Sequence, residues 1–103
     1  MDHSTVLDRS RADLTRGYDA LGDPARRAIL EELRGGIRCL CELEADLGLA
    51  SNLLSYHMKH LREARLVSGS RRGRRVEYRI EPAGLERLRR DLEWLANPAE
   101  GHR

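Results

Sequence analysis

Two cysteines lie one residue apart, Cys39-Leu40-Cys41, in a chain of 103 residues. They are the constellation best able to sense chemistry. Thiolates at this spacing cannot share one face of a regular helix, but at a helix start or in a locally unwound turn they can converge on one soft ion. A helix N-terminus also lowers thiol pKa, which favours ligation. Oxidation is a second use of the same thiolate character, although positions this close would leave an intramolecular disulfide strained. Two small buried residues with no chemistry is the plainer alternative. His57 and His60 are three apart and invite a metal reading. His57, however, falls beside an apolar stripe with Leu53 and Leu61, which suits a packed or backbone-bonded ring, and His60 reads as surface. No nucleophile–base pair and no glycine loop for phosphate supports an enzyme.

The charge points to a partner. The net value of +2 hides a block structure. Residues 1–50 carry seven Arg against ten acids, and residues 81–103 four Arg against five. Residues 51–80 hold Lys59 and seven Arg against Glu63 and Glu77 alone. A basic block inside a balanced chain is the electrostatic footprint of a polyanion-binding surface, and arginine suits bidentate phosphate and guanine contacts. A solvated face would carry the same charges.

These residues must be held by a small scaffold. One Trp, three Tyr and no Phe in 103 residues leave room for a single modest core, so association is a natural source of added stability. No apolar run is long enough for a membrane span, and the start, Met1-Asp2-His3-Ser4-Thr5, lacks the pattern of a secretory signal. With cysteines too few and too close to staple a fold, a cytoplasmic protein is expected.

Leu7, Leu14, Tyr18 and Leu21 predict a first helix over 5–21. Asp23-Pro24 caps and opens a second, with Ile29, Leu30 and Leu33 as its buried stripe and Gly35-Gly36 at its end. A short third helix runs from about Cys39 to Leu47. After Gly48-Leu49-Ala50 a fourth covers 51–64, with Leu54, Met58 and Leu61 inward. The period then changes. Strands are predicted over 67–70 and 76–80, with Arg71-Arg72-Gly73-Arg74-Arg75 as the turn and Pro82 ending the sheet. A last helix over 83–96 carries Leu85, Leu88, Leu92 and Leu95, and 97–103 is a polar, flexible tail. Two short helices across a Gly-containing turn, followed by a basic hairpin, make a winged helix-turn-helix. The fold class is therefore mainly α with a small β-hairpin wing, in one domain: helix-turn-helix over 39–64 and wing over 67–80.

Leu21-Gly22-Asp23-Pro24-Ala25-Arg26-Arg27-Ala28-Ile29-Leu30 resembles the opening motif of the ArsR/SmtB family of bacterial winged-helix repressors. Cys39-Leu40-Cys41-Glu42-Leu43 is similar to that family's metalloid box, and residues 54–64 resemble its recognition helix. The likeness covers about residues 17–80. It implies a homodimer joined by the first and last helices (1–21 and 83–96), bound without a cofactor to a palindromic double-stranded operator and released by an inducer. Arg65 stands where the family usually has Gly, at a position that wants a left-handed backbone. Ala50 replaces the usual Ser cap, leaving Ser51 or Asn52 to cap the fourth helix.

On that resemblance Ser51, Asn52, Ser55, Tyr56 and Lys59, opposite the apolar stripe, read bases in the major groove. Arg71, Arg72, Arg74 and Arg75 lie on phosphates or in the minor groove, giving affinity and salt dependence. A winged-helix module docking its hairpin on an acidic protein is the alternative, and it would show no palindrome preference and a weak salt slope. The family completes its trivalent arsenic or antimony site with a third Cys, where this chain has Glu44. Three possibilities follow for Cys39 and Cys41: a two-sulfur arsenic site with an oxygen ligand, a mixed site, or none. In a mixed site His3 of the partner subunit or Asp2 of the partner subunit would help hold zinc, cadmium or lead. Asp91 and Glu93, without a nearby histidine, do not make the family's site on the final helix.

Overall fold

The computed structural model describes residues 9–99. Its elements are α1 (Arg9–Leu21), α2 (Pro24–Leu33), β1 (Arg38–Cys39), α3 (Leu40–Leu47), α4 (Ser51–Glu63), β2 (Val67–Arg72), β3 (Arg75–Ile80) and α5 (Pro82–Ala96). Leu7 and the rest of the expected first helix before Arg9 lie outside the described residues, as does the end of the tail. No helix among the described residues is long and apolar enough to cross a membrane.

The boundaries follow local chemistry. The Asp23 carboxylate accepts from the N–H groups of Ala25 at 2.9 Å and Arg26 at 3.1 Å, and Pro24 supplies the first helical turn of α2. The Arg26 N–H, above the Ala25 N–H and the nearby Arg26 guanidinium charge, holds the Asp23 carboxyl below its usual range. Gly48, at φ 66°, turns the chain out of α3 and towards α4. The expected side-chain cap of α4 is absent: the cap is Ala50, and no side chain bonds the helix start. Ser51 and Asn52 fall inside the first turn and face outward, too late to reach back.

The chain leaves α4 through Arg65, at φ 61°, the left-handed backbone expected at that position. A non-glycine residue in that region costs about 1–2 kcal/mol. Arg65→Gly is accordingly expected to stabilise the domain by about 0.5–1 kcal/mol once glycine's freer unfolded chain is subtracted. Thermal unfolding checks this; an unchanged or lower midpoint refutes the strain.

The core is one cluster. Ile29, Leu30 and Leu33 of α2 meet Leu43 of α3, Leu54, Met58 and Leu61 of α4, Leu66, Val67 and Tyr78 at the sheet base, and Leu88 of α5. Leu88 is the buried leucine of α5; Leu92, Trp94 and Leu95 are exposed, Trp94 by 70%. Leu53, expected beside the buried stripe, is 43% exposed. Tyr18 of α1 donates to the Asp91 carboxylate of α5, and that bond, with burial and the carboxylate charge, raises the phenol to about 12.

The sheet has three antiparallel strands in the order β1-β3-β2. The hairpin turn is shorter than its arginine run suggests: Arg71 pairs with Val76 and Arg72 with Arg75, so the turn is Gly73-Arg74. Gly73, at φ 63°, supplies the left-handed backbone such a turn needs. The third strand, β1, is two residues long and was not expected. It aligns Arg38 with Tyr78 and Cys39 with Glu77, which joins the cysteine segment to the wing.

Candidate functional site

α4 buries Leu54, His57, Met58 and Leu61 and leaves Ser51, Asn52, Ser55, Tyr56 and Lys59 exposed. The five polar residues singled out in the sequence therefore share the outward side of one helix. Tyr56 is steadied by its neighbours, its ring edge-on to His57 at 5.3 Å and to His60 at 4.6 Å between centroids. A phenol held this way keeps its position at low entropic cost.

His57 is packed, as its place in the sequence suggests, and its partner is a side chain. Nδ1 lies 3.3 Å from Arg26 Nη1 and 3.9 Å from an Asp23 carboxylate oxygen. Arg26 is 8% exposed, and it donates through Nε to the Ala20 carbonyl at 3.0 Å and through Nη2 to that of Asp19 at 3.3 Å. One guanidinium thus closes the carbonyl end of α1 and fixes α4 against it. Sequence reasoning missed Arg26, since an arginine on a helix ordinarily reads as surface.

The wing arginines are all exposed but unequally engaged. Arg72 Nε lies 3.4 Å from Glu77, and Arg75 Nη2 lies 3.8 Å from Glu42 of α3. No ion pair involves Arg71 or Arg74 among the described residues. Exposed pairs of this kind contribute about 0–1 kcal/mol and yield readily to a phosphate. The wing thus exposes four guanidiniums, and the outward side of α4 exposes hydrogen-bonding groups and Lys59.

The cysteines sit where β1 becomes α3. Cys39 is the N-cap of α3: the Glu42 N–H donates to its sulfur at 3.3 Å, and its own N–H donates to Glu42 Oε1 at 2.9 Å. The two sulfurs are joined as a disulfide, with the Cα atoms 5.4 Å apart. The closeness of the two positions, expected to strain such a bond, does not prevent it. Cys39 is extended, at φ −82° and ψ 165°, and the change of direction into α3 swings Cys41 back beside it within ordinary disulfide reach. In this form neither Cys39 nor Cys41 is a free thiolate, so ligation requires prior reduction.

The sulfurs line a surface depression of about 320 Å3 together with Glu44, Arg74 and Arg75. No group of three or more His, Cys, Asp and Glu suited to a metal ion occurs among the described residues. Asp2 and His3 lie outside them. Asp91 is engaged by Tyr18, and Glu93 by Arg89 at 3.1 Å.

Residues 23–68, from the α2 cap through α4 to the first wing strand, match the family model described as bacterial regulatory protein, arsR family. The HTH-type transcriptional regulator Rv2034 of Mycobacterium tuberculosis is 42% identical over 78 residues, 76% of this chain and 73% of that protein. The chain belongs to the arsR family. An arsenical resistance operon repressor from Staphylococcus xylosus is 28% identical over 92 residues, 89% of this chain and 88% of the relative. The solution structure of a homodimeric winged helix-turn-helix DNA-binding domain from Mycobacterium bovis superposes with a TM-score of 0.74 at 22% identity, covering 100% of this chain and 97% of that one. This arsR-family chain is thus a winged helix-turn-helix transcriptional regulator and not an enzyme.

Proposed function

We propose that the protein is a cytoplasmic homodimeric repressor of a resistance operon, released from a palindromic operator when reduced Cys39 and Cys41 bind a thiophilic ion. Trivalent arsenic or antimony is the leading inducer, with zinc, cadmium or lead as alternatives. Ser51, Asn52, Ser55, Tyr56 and Lys59 would read base edges, and Arg71, Arg72, Arg74 and Arg75 would meet the backbone. Dimerisation through α1 and α5 would cover the exposed Leu92, Trp94 and Leu95.

The observation carrying this reading is the convergence of both sulfurs at the junction of β1 and α3. That junction adjoins the helix-turn-helix on one side and pairs with the wing on the other, so a ligand there can act on both DNA-facing elements. Release needs the ion to prefer the DNA-free form, and a coupling of about 1–3 kcal/mol, roughly 5–150-fold, is typical. Fluorescence anisotropy of the reduced protein on its own promoter, titrated with arsenite, tests it. Wild type should bind and then leave, whereas Cys39→Ser and Cys41→Ser should bind and stay. Either variant released normally would overturn the cysteine site; wild type held against arsenite but released by zinc, cadmium or lead would reassign the ion.

The disulfide itself favours a second reading, in which oxidation of the same pair relieves repression. Diamide in place of arsenite, with dithiothreitol to restore binding, distinguishes the two.

A further inference from the structure

The two sulfurs differ sharply in access. Cys39 is 2% exposed, locked between the β1 pairing and the α3 cap, while Cys41 on the first turn is exposed. An external reagent therefore meets Cys41 first. The depression around it has Val76 and Tyr78 as apolar lining and the guanidiniums of Arg74 and Arg75. Glu44 is the carboxylate among its lining residues, and Glu42 faces Arg75 from the side at 3.8 Å. Arg74 has no ion-pair partner among the described residues, which leaves a cation beside an accessible sulfur.

We infer that this depression receives a small anionic disulfide, one whose halves carry carboxylates, and that Cys41 is the residue it modifies. This rests on the second, oxidative reading above and names its reagent class and order of events. The Cys41 thiolate attacks one sulfur of the reagent; the Cys41–reagent bond forms, the reagent's own S–S bond breaks, and one half departs as a thiolate. The Cys39 thiolate then attacks the Cys41 sulfur, forming the bond seen in the structure and expelling the second half. Two protein thiols are oxidised, one disulfide is reduced to two thiols, and the two protein protons end on the departing thiols. Arg74 and Arg75 hold the reagent's carboxylates and orient its sulfurs towards Cys41. While so occupied they are also withdrawn from any phosphate.

The test uses the reduced full chain with oxidised glutathione as the anionic probe and cystamine as the cationic one. Both rates of thiol loss are followed in wild type and in an Arg74→Gln/Arg75→Gln variant, whose changes lie at exposed positions, one in the hairpin turn and one at the start of β3. The ratio of the glutathione rate to the cystamine rate should fall roughly fivefold or more in the variant at low salt, and wild type should lose the same preference at high salt. A general loss of thiolate character would slow both reagents alike and leave the ratio unchanged, which overturns the role of the arginines. Mass spectrometry reads the order: Cys39→Ser should accumulate a glutathionyl adduct on Cys41, and Cys41→Ser should react only when unfolded. An adduct on Cys39 in folded Cys41→Ser, at the rate seen for Cys41, would overturn the assignment. Neither measurement involves DNA, so failure of oxidative release would be seen separately, in the anisotropy experiment.

Discussion

Gly84→Ala is expected to destabilise the domain by about 3 kcal/mol or more, among the largest effects of any single methyl group here. Gly84 sits buried in the first turn of α5, where a Cβ would land on the carbonyl oxygen of Arg65, 2.9 Å from its carbonyl carbon and 3.3 Å from Leu66 Cδ2. The obstacle is backbone, and that backbone is pinned: Arg65 is already in the left-handed region, and the Leu66 carbonyl accepts the Glu81 N–H at 2.9 Å. Neither side can yield without pulling α5 from the end of α4. For a domain this size each kcal/mol moves the midpoint by about 4–8 °C, so the loss should exceed about 12 °C in a thermal melt. A loss under about 1 kcal/mol would mean that α5 shifts freely on the body of the fold.

Arg26→Ala is the second large expectation, about 2–4 kcal/mol. The change strips donors from the Ala20 and Asp19 carbonyls and from His57 Nδ1, in a place where water has little access. Lysine should recover only part of the loss, because one ammonium cannot reach three acceptors arranged around a planar fork. The cluster ties α1 and α2 to α4, so on the proposed reading a folded Arg26→Ala protein should also bind DNA more weakly, through an α4 that rocks. Melts and DNA anisotropy below the midpoint measure the two effects separately; full affinity in the folded variant would reduce Arg26 to a stabilising role.

The helices were legible because their signals are redundant. Asp23-Pro24 announces α2 by cap and ring at once, and the stripe of Leu54, Met58 and Leu61 fixes both the existence and the facing of α4. The wing arginines were legible as a surface but not as strand, since charged residues are poor predictors of pairing and only the register of Arg71 with Val76 and Arg72 with Arg75 reveals it. Two-residue β1 has no alternation to read; it exists because β3 offers it an edge. At the site, residue type showed which side chains carry chemistry, and tertiary placement decided how they are engaged. Glu42 and Glu77 hold two of four wing arginines, His57 pairs with a buried arginine, and the strand-to-helix turn closes the Cys39–Cys41 bond, none of which spacing along the chain encodes.

Both sulfurs come from one chain, and so does the strand pair that joins them to the wing. On the oxidative reading, a dimer then carries two complete switches, neither lending the other a sulfur. Their dose–response curve should be graded, with a Hill coefficient near one for modification itself, and any steepness in transcription would have to come from the operator needing both half-sites filled. A cell using such a regulator would register small chemical insults in proportion, and would reserve full derepression for the dose that reaches both halves.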